Sequence, residues 1–293
     1  MDNKKTSKKG TINCLLCGGG NTIVKCKHKG MTIYCCKDCK MMFQDPRSDV
    51  VSRNQFNDPI CNNYNTKKNL KHVIAKDILE RIEACSHIDF SQARVLEIGA
   101  GSGVLASIIM SKGAYYKGVE PSGSFSRQAL SNFPDLEAKL EQSVESKRVP
   151  KNFFDLIIMI DTLEHILCPV DFLIKLKQYL RNDGLIYIEI PSESFLGIKG
   201  FLRKLFGVYS GYITHPGHVS LFVEKTFKKI VKNAGFIISY FSYVTILGDY
   251  NKLRLVFNEK NKAALKCIAL IFKLIKADLF LRQGSMAILA RKN

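Results

Sequence analysis

The sequence contains no run of about 18 apolar residues, so we expect no transmembrane helix. No apolar segment follows the basic residues 1–10 either, which argues against a secretory signal and predicts a disordered tail in a cytoplasmic protein. Acidic residues are scarce: 26 Asp and Glu stand against 44 Lys and Arg, which gives a net charge of +18. Because the lysines are spread over the whole chain, this charge fits an anionic partner and a compositional bias equally well.

The 293 residues are enough for one large α/β domain and a small additional module. Ten cysteines in a chain with no expected secretory signal argue against a disulfide framework, because a reducing compartment keeps thiols free. In that setting, closely spaced cysteine pairs more often hold a metal ion.

Two C-x2-C pairs near the N-terminus have the spacing of a structural zinc site, and their members are Cys14, Cys17, Cys36 and Cys39. The glycines that follow the first pair and the short β-like runs between the pairs predict a zinc ribbon over residues 11–45. Four protein ligands would leave no coordination position open for chemistry, so the expected Zn²⁺ is structural. Three neighbours are rival ligands: Cys26, His28 and Cys35.

A glycine-rich turn follows an apolar strand in the middle of the chain. The strand Val95–Ile98 leads into Gly99–Gly103, and a helix is predicted to begin near Val104. The next strand, 116–119, ends at Glu120, where Rossmann-like sites place a carboxylate on ribose hydroxyls. The spacing is G-x-G-x-G rather than G-x-G-x-x-G, so a dinucleotide-binding dehydrogenase is the weaker interpretation.

This pattern, E-x-G-x-G-x-G followed by an acid after the second strand, resembles the class I S-adenosylmethionine-dependent methyltransferases. The resemblance implies a Rossmann-like α/β fold, with a seven-stranded, mostly parallel sheet and helices on both faces. It assigns residues 46–92 to a linker and helical segment and 93–293 to the methyltransferase domain, with a lid insertion at 192–223. It also implies S-adenosylmethionine as cofactor, bound by Glu97, Gly99, Ala100, Gly101, Gly103, Glu120 and Asp161.

The remaining elements follow the order of that family. Strands are predicted at 154–160 and 285–291, a turn with the strand after it at 182–191, and helices at 70–85, 169–180 and 225–234. Many relatives carry an acid near the end of the third strand, where it meets the adenine amino group. Here that position falls near Ser143, close to Glu141 and Gln142.

The zinc knuckles and residues 42–47 resemble a narrower group, bacterial methyltransferases with an N-terminal zinc ribbon. Many of these act in sugar and surface-polysaccharide biosynthesis, and sugar C-methyltransferases belong to the group. This resemblance implies a small-molecule acceptor, a nucleotide- or lipid-linked sugar, with His218 as the catalytic base. His165 is the second candidate base, because imidazole titrates near neutral pH. In those relatives an acidic residue precedes the histidine, whereas this chain has Gly217 there.

Three alternatives stay open. Asp161, Glu164 and His165 with His215 or His218 could bind a divalent metal and resemble the set of small-RNA 2′-O-methyltransferases, although no basic-aromatic RNA motif is present. A non-catalytic binding protein could retain the fold as a scaffold. A quinone-type O-methyltransferase would work at a membrane, and residues 199–206 and 263–281 are candidates for peripheral contact with its inner face.

Overall fold

The computed structural model describes residues 12–28, 30–45, 68–193, 217–244 and 285–293. Several predicted features therefore lie outside the described residues: the tail 1–10, the linker 46–67, most of the lid insertion, His215, and the segment 263–281. Among the helices that are described, none has both the length and the hydropathy that crossing a bilayer requires.

The chain alternates strands and helices, as an α/β protein does. In chain order the elements are β1 Thr22–His28, β2 Met31–Cys36, β3 Met42–Asp45, α1 Lys68–Ser86, β4 Arg94–Ile98, α2 Val104–Ser111, β5 Tyr115–Val119, α3 Gly123–Asn132, β6 Leu140–Glu141, β7 Phe154–Ile160, α4 Pro169–Leu176, β8 Leu180–Pro191, β9 Ser220–Leu221, α5 Glu224–Asn233, β10 Phe236–Val244 and β11 Ser285–Lys292.

Seven strands form the larger sheet in the order β10-β11-β8-β7-β4-β5-β6. The strands from β8 to β6 are parallel, whereas β11 runs antiparallel to both β8 and β10. The order reverses direction at β4, so the loops after β4 and β7 meet at the carboxyl edge, where open α/β sheets bind ligands. The predicted fold class is confirmed.

One predicted boundary is wrong. The helix expected at 169–180 ends at Leu176, and strand β8 begins at Leu180, ahead of the turn expected at 182. The reason is a tertiary contact: the amides of Asn152 and Phe153 donate hydrogen bonds to the carbonyls of Gln178 and Tyr179 (2.8 and 3.0 Å). These bonds draw the chain out of the helix and into the sheet.

Alternating side chains of the central strands fill two separate apolar layers, one on each face of the sheet. On β4, Leu96 and Ile98 join the layer under α4 and α5, and Val95 joins the layer under α1 and α2. Helix α1 contributes apolar residues at helical spacing to the second layer, namely Ala75, Ile78, Leu79 and Ile82. The sheet is thus covered on both faces.

The N-terminal strands form a second, antiparallel sheet in the order β1-β2-β3-β9. Its fourth strand, β9, is distant in sequence from the other three. Phe43 pairs with Ser220, and Met42 pairs with Leu221. Met41 and Phe43 are fully buried and belong to the same apolar layer as α4 and α5. The ribbon is therefore built into the larger domain, which the sequence did not predict.

Candidate cofactor and acceptor site

The three glycines of the turn after β4 all have positive φ angles, but their surroundings differ. A Cβ atom on Gly99 would collide with the Thr162 hydroxyl, and one on Gly103 would lie 2.7 Å from Leu136. Both positions therefore require glycine for packing. At Gly101 the nearest atom would be 4.0 Å away, so this glycine faces open space that a ligand can approach.

Glu120, at the end of β5, is held against this open glycine. Its two carboxylate oxygens accept hydrogen bonds from the amides of Gly101 and Ser122, each at 2.8 Å. Burial raises the pKa of Glu120 above its usual value, and the two amide bonds oppose that rise. The carboxylate is thus fixed in place at the edge where the sequence predicted a ribose contact.

Glu97 occupies a different place from the other predicted cofactor residues. Its side chain is buried inside the sheet and accepts a hydrogen bond of 2.6 Å from the Tyr116 hydroxyl. Burial raises the pKa of Glu97 to about 8; the Tyr116 bond opposes this shift and the charge of Glu120 adds to it. At neutral pH Glu97 is therefore mostly protonated, and it lies in the strand that leads into the glycine turn.

We expect Glu97→Gln to remove much of the protein's loss of stability at alkaline pH. The native-state pKa of about 8 lies above the value of 4.5 for a free glutamate, so the native state binds more protons between these values. The free energy of unfolding then falls as pH rises through this window. Glutamine mimics the protonated acid, so urea unfolding at pH 6 and 8.5 should show a difference smaller by ~2 kcal/mol than in the wild type.

The control for this measurement is Glu137→Gln, which changes an exposed glutamate in the same way. It should keep the wild-type difference between the two pH values. Equal differences in the wild type and Glu97→Gln would show that Glu97 does not carry the proton.

Asp161 follows β7 at the same edge and has a left-handed backbone conformation, with φ of 47°. Its amide donates to the Glu189 carbonyl at 2.9 Å. The side chain is reached by solvent, yet surrounding protein and the negative charge of Glu189 raise the pKa of Asp161 to about 6. The next residue, Thr162, donates to the carbonyls of Ile98 and Ile160, which fixes this segment beside the glycine turn.

An ion pair below this edge was missed by sequence reasoning. Arg81 of α1 contacts the Glu189 carboxylate at 2.9 Å, and the Tyr187 hydroxyl donates to the same carboxylate at 3.0 Å. The pair ties α1 to the end of β8, next to Asp161. The sequence signal for this ion pair is weak: Glu189 is an acidic residue within an apolar strand.

Glu164, His165 and His218 meet on the other side of Asp161. The His165 and His218 rings are 5.0 Å apart in an edge-to-face arrangement, and His218 Nε2 lies 3.8 Å from a Glu164 carboxylate oxygen. Glu164 thus supplies the acidic neighbour that Gly217 does not. His165 Nδ1 lies 2.9 Å from the Gly217 carbonyl, which only a protonated Nδ1 can satisfy. Both predicted catalytic histidines are therefore brought together.

The segment that carries His218 is held from both sides. On one side the backbone N–H of Gln44, in ribbon strand β3, donates to the Val219 carbonyl at 3.1 Å. On the other side the Glu193 amide donates to the Phe222 carbonyl at 2.8 Å, so the two ends of the predicted lid insertion meet here. The ribbon therefore contacts the segment that directly follows the histidine.

The sulfur atoms of the four predicted zinc ligands converge within 4.8 Å of one another. The sulfurs of Cys14 and Cys39 are 3.3 Å apart, and those of Cys17 and Cys36 are 3.6 Å apart. Tetrahedral zinc with Zn–S bonds of about 2.3 Å places sulfurs at roughly 3.8 Å, so the cluster fits that ion. Cys35 is outside the cluster.

The two knuckles have the same backbone form. The residue after each second cysteine donates its amide to the carbonyl of the first: Gly18 to Cys14 at 2.9 Å and Lys40 to Cys36 at 3.0 Å. Both donors have positive φ, 70° for Gly18 and 64° for Lys40. This matched pair of tight turns brings the four sulfur atoms close together.

Strand β6 is the third strand of the larger sheet in chain order and ends at Glu141. The Glu141 carboxylate is already bound by neighbouring side chains. It contacts Arg148 at 2.9 Å and Lys117 at 3.4 Å and accepts a hydrogen bond from Ser146 at 2.8 Å. Gln142, the next residue, is exposed at the edge. Of the residues considered for the adenine contact, Gln142 is therefore better placed than Glu141.

The model of the methyltransferase domain family matches residues 64–239, which is more than half of the chain. The chain belongs to this family. The match includes the glycine turn, Glu120, Asp161 and both candidate histidines. Residues 1–63, which include strands β1 to β3, and residues 240–293 lie outside the match.

Curated relatives of this methyltransferase-family chain are O-methyltransferases. The mitochondrial ubiquinone biosynthesis O-methyltransferase of Schizosaccharomyces pombe is 30% identical over 113 residues, which is 36% of this chain and 41% of that protein. The chain spans half or less of the length of the curated relatives that it matches.

Solved structures show the same fold. The magnesium protoporphyrin IX methyltransferase of Synechocystis, determined with bound SAH, has a TM-score of 0.55 and 13% identity, over 84% of this chain and all of that one. A SAM-dependent methyltransferase from Archaeoglobus fulgidus has a TM-score of 0.50 and 18% identity, over 74% of this chain and 94% of that one. At these identities the likeness concerns the fold alone.

Proposed function

We propose that this chain is an S-adenosylmethionine-dependent methyltransferase that transfers a methyl group to a small-molecule acceptor. One observation carries the proposal: Glu120 is fixed by the Gly101 and Ser122 amides beside the open space at Gly101. A carboxylate held there can accept hydrogen bonds from both ribose hydroxyls of the cofactor. Membership in the methyltransferase domain family supports the same conclusion.

Within this proposal the cofactor-binding residues divide into two groups. Gly101, Glu120 and Asp161 face the ligand, whereas Gly99, Ala100 and Gly103 shape the turn. Glu97, buried and mostly protonated, supports the turn and does not touch the cofactor. The proposal thus narrows the predicted set to the three residues with access to the open edge.

Bound S-adenosylmethionine would supply an electrophilic methyl group on its sulfonium. The chain then has to align the acceptor and promote loss of its proton. His165 follows β7 and His218 precedes β9 at this edge, and a Glu164 carboxylate oxygen lies 3.8 Å from His218 Nε2. We assign the acceptor side of the site to these three residues.

Two observations bear on the acceptor. The curated relatives are named ubiquinone biosynthesis O-methyltransferases, which favours an oxygen atom as the methyl acceptor. The zinc knuckles resemble those of sugar-modifying methyltransferases, which favours a nucleotide- or lipid-linked sugar. A hydroxyl group is common to both, so the proposal is an O-methyltransferase with these two acceptor classes to be compared.

The converging thiolates of Cys14, Cys17, Cys36 and Cys39 support the structural Zn²⁺ that the sequence predicted. A ribbon of this size buries little apolar surface by itself, so the ion would supply much of its folding energy. The proposed role is therefore to hold strand β3 against β9.

Methyl transfer tests the proposal directly. Zinc-replete protein should form S-adenosylhomocysteine from S-adenosylmethionine only when an acceptor, a catechol acid or a nucleotide sugar, is added. His218→Asn should lower this rate ~100-fold or more, because promotion of proton loss commonly contributes that much. His87→Asn, which changes an exposed histidine outside the site, should keep the wild-type rate.

The other outcomes separate the alternatives. Cofactor binding without turnover of either acceptor class would favour the non-catalytic scaffold. Absence of cofactor binding in well-folded protein would refute the proposed site.

A further inference from the structure

Glu164 carries a buried carboxyl group that lacks a hydrogen-bond partner. It is 1% exposed, and neither carboxylate oxygen has a hydrogen-bond partner among the described residues. A buried carboxyl group in this state costs free energy unless a cation or proton compensates it. The Nε2 atom of His218 lies 3.8 Å from a Glu164 carboxylate oxygen, which is too far for a hydrogen bond.

His165 and His218 each have a ring nitrogen that can act as a metal ligand near this carboxylate. Because His165 donates its Nδ1 proton to the Gly217 carbonyl, its Nε2 is the ring atom that carries the lone pair. Such a backbone hydrogen bond is the usual way in which a protein orients a metal-binding imidazole. One ligand atom from each of Glu164, His165 and His218 lies within 4.8 Å of the others.

We propose that Glu164, His165 and His218 bind one divalent transition-metal cation at the acceptor side of the site. Two imidazoles and one carboxylate form a ligand set that suits Mn²⁺, Fe²⁺ or Zn²⁺ and leaves coordination positions open. Metal–ligand bonds of about 2.1 Å place neighbouring ligand atoms roughly 3.0–3.5 Å apart, so the three side chains need to move together by about 1 Å.

The surrounding charges favour a cation over a simple pair between Glu164 and His218. The negative charges of Asp161 and Glu193 both act on Glu164. One protonated histidine would offset only one of these acids, whereas a divalent cation offsets two. Glu164 is buried and the two histidines are partly buried, so water screens the attraction less than at an exposed site.

This inference rests on the proposed methyltransferase function and narrows its acceptor. A cation with open positions binds best an acceptor that offers two adjacent oxygens, such as a catechol or a vicinal diol. Coordination lowers the pKa of the bound hydroxyl, and its proton leaves to water. The oxygen–methyl bond then forms as the sulfonium–methyl bond breaks, which leaves a neutral thioether.

Manganese binding followed by electron paramagnetic resonance tests the site without any acceptor. Zinc-replete protein is first dialysed against a chelator, and one retained zinc per chain is confirmed. Mn²⁺ is then titrated, because this hard ion does not replace zinc at four thiolates. We expect one bound Mn²⁺ per chain, with affinity lowered at least about tenfold in both Glu164→Gln and His218→Asn.

His87→Asn is the matched control and should bind Mn²⁺ as the wild type does. S-adenosylmethionine affinity, measured by calorimetry, should stay within about threefold of wild type in every variant, which shows that each is folded. The inference is overturned if the wild type binds no Mn²⁺ at millimolar concentration, or if both site variants bind it with unchanged affinity. If either site variant fails to fold, the other decides.

The two proposals fail in different ways. If the protein transfers methyl groups but binds no Mn²⁺, the proposed cation site is refuted and the proposed methyltransferase function is retained. Mn²⁺ binding in protein that does not bind S-adenosylmethionine would do the reverse.

Discussion

Gly101→Arg is expected to lower the affinity for S-adenosylmethionine by ~100-fold or more. Gly101 has open space where its side chain would be, and that space lies beside the fixed carboxylate of Glu120. An arginine there would occupy the cofactor's place and draw the Glu120 carboxylate to itself. Isothermal titration of the zinc-replete protein measures the change.

The matched control is Gly30→Arg, in the turn between β1 and β2. Gly30 also has a positive φ, 78°, and no atom lies within 4 Å of the point where its Cβ would be, so the backbone strain is comparable. Its cofactor affinity should equal that of the wild type. A second variant, Glu120→Gln, removes the charge that assists the ribose hydrogen bonds and should weaken binding ~10- to 100-fold. Wild-type affinity in both Gly101→Arg and Glu120→Gln would place the cofactor elsewhere.

Cys36→Ser is expected to slow methyl transfer strongly while S-adenosylmethionine still binds. Cys36 is fully buried in the four-cysteine cluster, and loss of one thiolate should release the zinc ion. Strand β3 would then no longer hold β9, and His218 would lose its position. The cofactor residues lie on the larger sheet, so their affinity for the cofactor should stay within about threefold. The rate should fall ~100-fold, as expected when a group that promotes proton loss is misplaced.

Cys35→Ser is the control, since Cys35 is the neighbouring residue on the same strand and its sulfur is not part of the cluster. It should keep one zinc per chain and the wild-type rate. The measurements are zinc content, cofactor affinity and the rate of S-adenosylhomocysteine formation. A Cys36→Ser protein that loses its zinc but keeps full activity would show that the ribbon does not position the acceptor side.

The cofactor half of the site was predictable because its signals are local. The strand, glycine turn and helix around Gly101 occupy consecutive residues, and Glu120 follows within one further strand. The residue types of each part are compatible with only a few backbone conformations. The convergence of the four cysteines was predictable for the same reason, because each pair lies on a single turn.

The acceptor half was predicted less completely because its contacts join distant residues. Nothing in the sequence pairs Phe43 with Ser220, or Arg81 with Glu189. Because Gly217 stands where relatives carry an acidic residue, the sequence left the acidic partner of His218 in doubt. In the structure Glu164, from another loop, lies beside His218. Such pairings are set by the packing of whole layers, and no short segment records them.

The pairing of β3 with β9 has a consequence for the order of assembly. During synthesis the ribbon strand emerges first, and residues 46–219 must follow before its partner at Ser220–Leu221 exists. Until then β3 presents an open strand edge, with Met41 and Phe43 deprived of the apolar layer that finally covers them. The ribbon edge is therefore most exposed to wrong partners while the polypeptide is still being made, and early capture of the metal ion would shorten only part of that period.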